Sequence, residues 1–315
     1  MSLEERYRAM RDEISKVIFG QDDVVELALA ALFSSGHVLL EGPPGTAKTL
    51  LVRTIAAALN LQFRRVQMTP DLLPGDIAGS SVFRADSGQF EFRHGPVFTN
   101  FLLADEINRA SARTQSALLE AMQELGVTHD GVTRPLPDPF ITFATQNPIE
   151  QEGTYPLPLA QLDRFMFKVE MTYPEQKAEQ RVLREHHANA GKSNPAAMDV
   201  KAVVSPEDIV DSRRIIRETH VRDEVINYVS ELLKATRNDD GLSVGASPRA
   251  GLMLLMGAKS LARFAGRDFV IPDDVQQAFL PAMRHRVVLA PSTELEGTTS
   301  DEVLAALMES IEVPR

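Results

Sequence analysis

The sequence predicts an α/β fold: a parallel five-stranded sheet layered between helices, followed by a small all-α domain. Three observations carry that expectation. Five short apolar runs lie within residues 1–190, at His37–Leu40, Phe63–Met68, Phe101–Ala104, Ile141–Thr145 and Phe165–Val169. They are continuous rather than alternating, as strands covered on both faces are. Segments of helical period separate them, and after residue 200 helix-start signatures recur with no convincing strand run.

Between the first two runs Leu51, Ile55 and Leu59 recur at helical spacing, and between the third and fourth Leu118, Met122 and Leu125 do the same. These crossovers should be helices packed on the sheet. Two stretches interrupt the pattern. In residues 80–93, Phe83 precedes Ala85-Asp86-Ser87-Gly88, and Phe90 and Phe92 follow with period two. In residues 126–136, Val127 and Val132 flank Thr128-His129-Asp130-Gly131. Both read as hairpins inserted into the sheet domain. Asn189–Pro195 is polar, with Gly and Pro, and reads as a linker. It divides a sheet-containing αβα core, residues 1–190, from a helical domain, residues 200–315. In the second part Ser205-Pro206-Glu207-Asp208, Ser247-Pro248, Pro272-Asp273-Asp274 and Thr299-Ser300-Asp301-Glu302 each start a helix. No internal repeat or low-complexity segment is evident.

The composition narrows the chemistry. The chain has 315 residues, 43% of them hydrophobic and 24% charged, which are globular values. Its net charge of −11 makes DNA or an anionic membrane a poor default partner. With no cysteine, disulfides, thiolate metal sites and cysteine nucleophiles are excluded together. The charged start MSLEERYRAMRDE is unlike a signal peptide, and no apolar run reaches the roughly 18 residues of a membrane span. The expectation is a soluble, cytoplasmic protein without a membrane span.

Gly42-Pro43-Pro44-Gly45-Thr46-Ala47-Lys48-Thr49 follows the first strand and opens a helix that continues through Leu50. This is the spacing of a Walker A loop, with Ala47 where the strict pattern has Gly. Glycines let backbone N–H groups turn inward around phosphates, and the helix N-terminus adds partial positive charge. Lys48 would bring a mobile full charge to the β- and γ-phosphates of ATP, and the Thr49 hydroxyl would ligate Mg²⁺. Ala47 is expected where the loop becomes helical, a conformation Ala tolerates. Phe101-Leu102-Leu103-Ala104-Asp105-Glu106 is an apolar strand ending in two acids, a Walker B arrangement. Asp105 would hold Mg²⁺, and Glu106 would polarise the attacking water as general base.

With these motifs in hand, the chain resembles the AAA+ ATPases, and within them the MoxR family. The resemblance runs from Ile18-Phe19-Gly20-Gln21 to at least Arg286. It is most specific from Gly95-Pro96-Val97-Phe98 through Ala104-Asp105-Glu106-Ile107-Asn108-Arg109-Ala110. It continues at Ala144-Thr145-Gln146-Asn147-Pro148, Leu162-Asp163-Arg164-Phe165 and Ser247-Pro248-Arg249. The two hairpins match the helix-2 and pre-sensor-1 insertions of that clade. The resemblance implies an AAA+ P-loop core with a helical lid that can move with nucleotide state. It makes Asn147 look like sensor 1 and Arg249 like sensor 2. An Arg in the first turn of a helix opposes its own dipole, which a γ-phosphate would compensate. Arg164 looks like an arginine finger serving a neighbouring subunit, with Arg109 and Arg113 as rivals. Ile18 and Phe19 would pack on adenine. Family members form homo-hexameric rings and act, chaperone-like, on protein clients that often carry a von Willebrand A domain.

Two other functions compete. The insertions also occur in helicases of the minichromosome-maintenance type, but Thr128, His129, Asp130 and Thr133 are not basic, and Arg134 is the one cation near them. A strand-tracking loop should carry more. A slow nucleotide-gated scaffold is opposed by the intact Glu106, Asn147 and Arg249. The remaining candidates read as ordinary structure. The seven histidines show no metal-ligand spacing, and His186-His187 fall on a solvated helix. Arg213, Arg214 and Arg217 form a solvated helix face, and Arg284-His285-Arg286 lie at the surface unless subunit contacts involve them. The hairpin phenylalanines fit core or exposed client contact equally well.

Overall fold

A computed structural model describes residues 1–148, 153–188 and 195–314. Helices α1 (Leu3–Ile14) and α2 (Asp22–Phe33) lead into β1 (Val38–Glu41), followed by α3 (Lys48–Ala58), β2 (Phe63–Gln67) and α4 (Pro74–Ala78). The first hairpin is β3 (Gly79–Arg84) with β4 (Gln89–His94). Then come β5 (Phe101–Asp105), α5 (Ala112–Glu124), and a second hairpin, β6 (Gly126–His129) with β7 (Val132–Pro135). The core closes with β8 (Ile141–Gln146), α6 (Leu159–Leu162), β9 (Phe167–Glu170) and α7 (Gln176–Ala188).

The five central strands are parallel, in the order β2-β5-β8-β1-β9. β5 and β8 are buried almost throughout, which is why their sequences run apolar without alternation. β1 sits between β8 and β9, so the loop after it opens beside the carboxyl ends of β5 and β8. A crevice outside the carboxyl ends of parallel strands is where such sheets bind ligands.

The second part contains α8 (Pro206–Arg217), α9 (Asp223–Asn238), β10 (Leu242–Val244), α10 (Pro248–Phe264), α11 (Pro272–Met283), β11 (Val288–Leu289), α12 (Pro291–Leu295) and α13 (Ser300–Ser310). All four anticipated helix starts are present. Ser205, Ser247 and Thr299 cap through their side chains. Ile271 stands at the cap before Pro272. The expectation of no strand here needs correction, because β10 and β11 pair antiparallel. Two or three residues leave no alternation to read. The expected linker Asn189–Pro195 lies outside the described residues except for Pro195. Among the described residues, no helix is long and apolar enough to cross a membrane.

The helical part is not loosely hung on the core. Tyr7 of α1 stacks on Phe264 of α10 with centroids 4.0 Å apart, and Phe33 of α2 meets the same ring edge-on at 5.9 Å. Arg6 reaches Asp208 and Asp211 of α8 at 3.1 and 2.9 Å. One apolar cluster runs through α1, α2, β1, β9 and the helices from α8 to α11. A lid moving alone would have to open that cluster, a constraint that no local sequence pattern announces.

Candidate active site

The loop after β1 turns where the sequence places it. Gly42 packs so closely that a Cβ would stand 2.3 Å from the Met171 carbonyl oxygen, and Gly45 has φ +85°. Gly42 has no room for a side chain, and the backbone conformation at Gly45 favours glycine. Ala47 is a correction: its φ of 67° and ψ of 22° are left-handed, not helical. This explains the Gly of the strict pattern, since a Cβ in that conformation costs about 1–2 kcal/mol.

From this loop Lys48 folds back, its Nζ donating to the Gly42 and Pro43 carbonyls at 2.6 and 2.8 Å. Burial is the first cause of its lowered pKa, against the opposing pull of Asp105 and Glu106. Thr49 Oγ1 donates to Asp105 Oδ2 at 3.3 Å. The hydroxyl and carboxylate therefore already converge, as an oxygen-ligated Mg²⁺ with phosphate and water ligands requires. Among the described residues no cluster of three His, Asp or Glu offers an all-protein metal cage.

Asp105 ends β5, is almost buried, and is held from two sides. Thr145 of β8 donates to Oδ1 at 2.5 Å, and Arg65 of β2 reaches Oδ2 with Nη2 at 2.7 Å and Nε at 3.0 Å. Glu106 sits next in a left-handed conformation, φ 59° and ψ 54°. Its backbone N–H donates to Thr145 Oγ1 at 2.8 Å, and its Oε2 accepts from Gln67 at 2.8 Å and lies 3.2 Å from Arg109 Nε. Asn147 lines the same cleft, which measures about 460 Å³ and also takes Thr46, Leu50 and Gln146. Arg65, Gln67 and Thr145 were not anticipated as site residues. The signal was available in β2, whose alternation puts Arg65 and Gln67 on one face, with Gln67 in register with Asp105.

Ile18 and Phe19 are buried beside this end of the sheet. Gln21 donates to the Thr172 carbonyl at 2.9 Å, next to the Met171 that packs on Gly42, and Arg181 stacks over Phe19 at 4.1 Å.

Arg164 and Arg249 are elsewhere. They line a second cavity of about 370 Å³ with Gly36, His37, Phe140, Arg213 and Arg217. These residues precede β1, β8 and β9 or lie on α8 and α10, at the amino ends of the strands. The Walker cleft is at the carboxyl ends, about 13 Å away along a four-residue strand. The structure thus does not bring Arg249 to its own chain's phosphate loop. Arg164 is held by Gln123 Oε1 at 3.0 Å and the Ala160 carbonyl at 3.4 Å. Of its rivals, Arg109 pairs with its own Glu106, and Arg113 is exposed on α5.

Two surface expectations are overturned. Arg213 is not solvated; its side chain is 12% exposed and pairs with Asp138 at 2.6 Å. In the Arg284–Arg286 run, His285 and Arg286 are buried, and Arg284 is mostly covered while pairing with Asp301. Arg286 donates to Asp163 Oδ1 at 2.6 Å and to the carbonyls of Asp163, Phe165, Met166 and Ala282. His285 Nε2 lies 3.0 Å from the Phe165 carbonyl. Lid residues thus grip the backbone on both sides of Arg164.

The hairpin phenylalanines divide. Phe92 faces inward, with Arg134 4.0 Å over its ring and His129 5.4 Å away. Phe83 and Phe90 face each other at 5.3 Å and are 55% and 73% exposed. Ser81 donates to Asp130 at 2.7 Å and ties the two hairpins together.

Comparison with known proteins agrees with this architecture. The family described as "ATPase family associated with various cellular activities (AAA)" matches residues 37–167, and the AAA lid domain matches residues 234–307. The chain is 43% identical to the chaperone MoxR1 of Mycobacterium tuberculosis over 312 residues, covering 96% of this chain and 81% of that one. It is 31% identical to the protein MoxR of Paracoccus denitrificans, covering 92% and 90%. The crystal structure of a Cytophaga hutchinsonii protein superposes with a TM-score of 0.89 at 39% identity, covering 99% and 96%.

Proposed function

The chain belongs to the MoxR family of AAA+ ATPases, and from that premise we propose that it binds Mg²⁺-ATP, hydrolyses it, and uses the cycle to remodel a protein partner. The observation that carries the reading is the convergence of Lys48, Thr49, Asp105, Glu106 and Asn147 on one cleft at the carboxyl ends of β1, β5 and β8. Lys48 would exchange its two carbonyl acceptors for the β- and γ-phosphates. Thr49 and Asp105 would hold Mg²⁺, which supplies charge neutralisation at the phosphate oxygens. Glu106 would orient the attacking water and take its proton, and the Asn147 amide would fix that water without quenching the carboxylate.

Both acids have partners within the chain: Arg65 pairs with Asp105, and Gln67 and Arg109 meet Glu106. Nucleotide and metal would compete with these contacts.

Arg164 and Arg249 are a strand length from this cleft, so both would act on a neighbouring subunit. Each chain then gives one surface and receives another, which is a head-to-tail ring, with a hexamer as the family expectation. The exposed Phe83–Phe90 pair on the inserted hairpin is the contact we assign to a client protein. A von Willebrand A domain is one partner class consistent with the family. Arg134 is committed to the Phe92 ring and to the His129 and Val132 carbonyls, which argues against a nucleic-acid-tracking role for the second hairpin.

Glu106→Gln tests the assignment. It should retain ATP binding, measured by nucleotide retention, while phosphate release falls about 10²–10⁴-fold, the usual worth of a general base. It should also hold clients long enough for capture in ATP. Parental turnover in Glu106→Gln would remove Glu106 as the base.

A further inference from the structure

Asp105 is the acid assigned above to Mg²⁺, and its outer oxygen is taken by a side chain of the same subunit. Arg65 lies on β2, the edge strand of the sheet. Its Nη2 and Nε donate to Asp105 Oδ2 at 2.7 and 3.0 Å. Thr49 Oγ1 donates to the same oxygen at 3.3 Å, and Oδ1 is held in a buried contact with Thr145 of β8 at 2.5 Å. A carboxylate oxygen offers about two lone-pair sites. Three donors on Oδ2 leave none for a cation or for a water bound to one.

Two features make Arg65 the donor that gives way. Thr49 is itself in the proposed metal set, so its hydroxyl can stay beside the ion, whereas a guanidinium carries charge of the same sign and is repelled. Arg65 can also leave at little cost. Its side chain is 49% exposed against 9% for Asp105, and Val66 is the buried residue of β2. Away from Asp105, Nη2 still has the acceptor Gln67 Oε1, 2.8 Å away. While it stays, Arg65 does for a nucleotide what a metal would do. It cancels the charge of an almost buried carboxylate that a triphosphate must approach and that would otherwise repel it.

We propose that Arg65 is a counter-ion that Mg²⁺ replaces on Asp105, so that it admits nucleotide ahead of the metal and raises the Mg²⁺ concentration at which the site loads. The role presupposes Mg²⁺ at Thr49 and Asp105, as proposed above. A site that takes the cation only in the fraction of molecules where Arg65 has let go has its apparent affinity reduced by that fraction. Arg65 is thus a positioning residue: it acts on Asp105, and through Asp105 on the metal.

Binding with and without the metal tests this. The probe is the β,γ-imido analogue of ATP, titrated by calorimetry into the full-length chain in excess EDTA and in saturating Mg²⁺. Arg65→Gln should weaken binding about tenfold in EDTA, the usual worth of a hydrogen bond to a charged group. In Mg²⁺ it should bind as tightly as the parent or tighter. The ratio of the two affinities therefore rises about tenfold or more. Arg65→Lys, which keeps the charge and loses the planar fork, should recover part of the affinity in EDTA. Arg64→Gln, exposed and alternating to the other face of the same strand, is the control for net charge.

Loss of binding in EDTA with binding in Mg²⁺ intact is the result expected of Arg65→Gln. An unchanged ratio, with both affinities lowered together or neither moved, confines Arg65 to structure and overturns the role. So does a parent that binds the analogue in Mg²⁺ and not at all in EDTA, because Arg65 would then not stand in for the metal. A parent that binds the analogue in neither condition removes the ATP reading itself, and this role with it.

Discussion

The two ends of the central sheet treat charge in opposite ways. At the carboxyl ends, Lys48, Arg65 and Arg109 stand against Asp105 and Glu106, and both carboxylates have partners within the chain. At the amino ends, four arginines share one carboxylate, Asp138, among the described lining residues. The first end is a set of charges matched within one chain, and the second is not. That difference is why the proposed reading puts nucleotide binding and the base within one subunit and turns the arginines towards a neighbour.

That contrast breaks most visibly if the amino-end arginines serve their own chain. Arg164→Ala should bind ATP normally and lose about 10³–10⁵ in turnover, the worth of a trans arginine in other phosphate-loop enzymes. Mixing with Lys48→Ala should restore activity, and dilution should abolish the rescue. A monomer with full, concentration-independent activity would falsify the ring.

A smaller effect, read as stability, concerns the grip on Arg164. Arg286 is almost wholly buried, and its removal leaves Asp163 and four carbonyls without their donor. Breaking such a buried pair costs about 3–5 kcal/mol. Arg286→Ala should therefore lower the urea midpoint, and at concentrations where it remains folded its turnover should be rescued by Lys48→Ala like that of Arg164→Ala. Arg286→Lys should recover part of both. Failure of rescue in folded Arg286→Ala would confine this arginine to stability.

Acid sharpens the same comparison. His37 lies under the arginine cavity with its pKa lowered from 6.5 to about 4. Between those values the unfolded chain binds the proton and the folded chain does not. Stability is thus complete above pH 6.5 and lost as pH falls towards 4, by up to roughly 3 kcal/mol from this group. His285 is shifted in the same direction and adds to the trend. His37→Gln should flatten the pH dependence of the urea midpoint over that window. An unchanged slope would place the acid sensitivity elsewhere.

The sheet end that works alone is also the one legible in sequence. Lys48, Thr49, Asp105 and Glu106 fall in two contiguous stretches whose spacing encodes their geometry, and the five strands and both hairpins follow from local patterns. The other end joins residues from six segments, at 35–37, 122–125, 138–140, 164, 213–217 and 249–253. No local pattern reports that assembly. Periodicity marks Arg213 as a solvated residue because it cannot see Asp138 arriving from the lead to β8. Arg286 was misjudged for the same reason: its partners are about 120 residues away. Arg249 stands out in the sequence by its position in a first helical turn, but nothing local tells that it lies in the cavity at the amino ends rather than beside its own phosphate loop.

The left-handed backbone at Ala47 and Glu106 bears on how such a protein evolves. Both residues hold a conformation that glycine would adopt at little cost, and both border the reacting groups. At Glu106 the proposed reading needs the carboxylate, so on that reading the strain is fixed by chemistry. At Ala47 no side-chain function is at stake, and the position is free to drift. Ala47→Gly should raise stability by no more than about 1 kcal/mol, since relief of the strained Cβ is partly offset by the greater freedom glycine gives the unfolded chain. Thermal melts of the two forms would show it, with Walker-cleft affinity for ATP unchanged. Selection for robustness alone would therefore act on residue 47, whereas at residue 106 it would be opposed by the role proposed for the carboxylate.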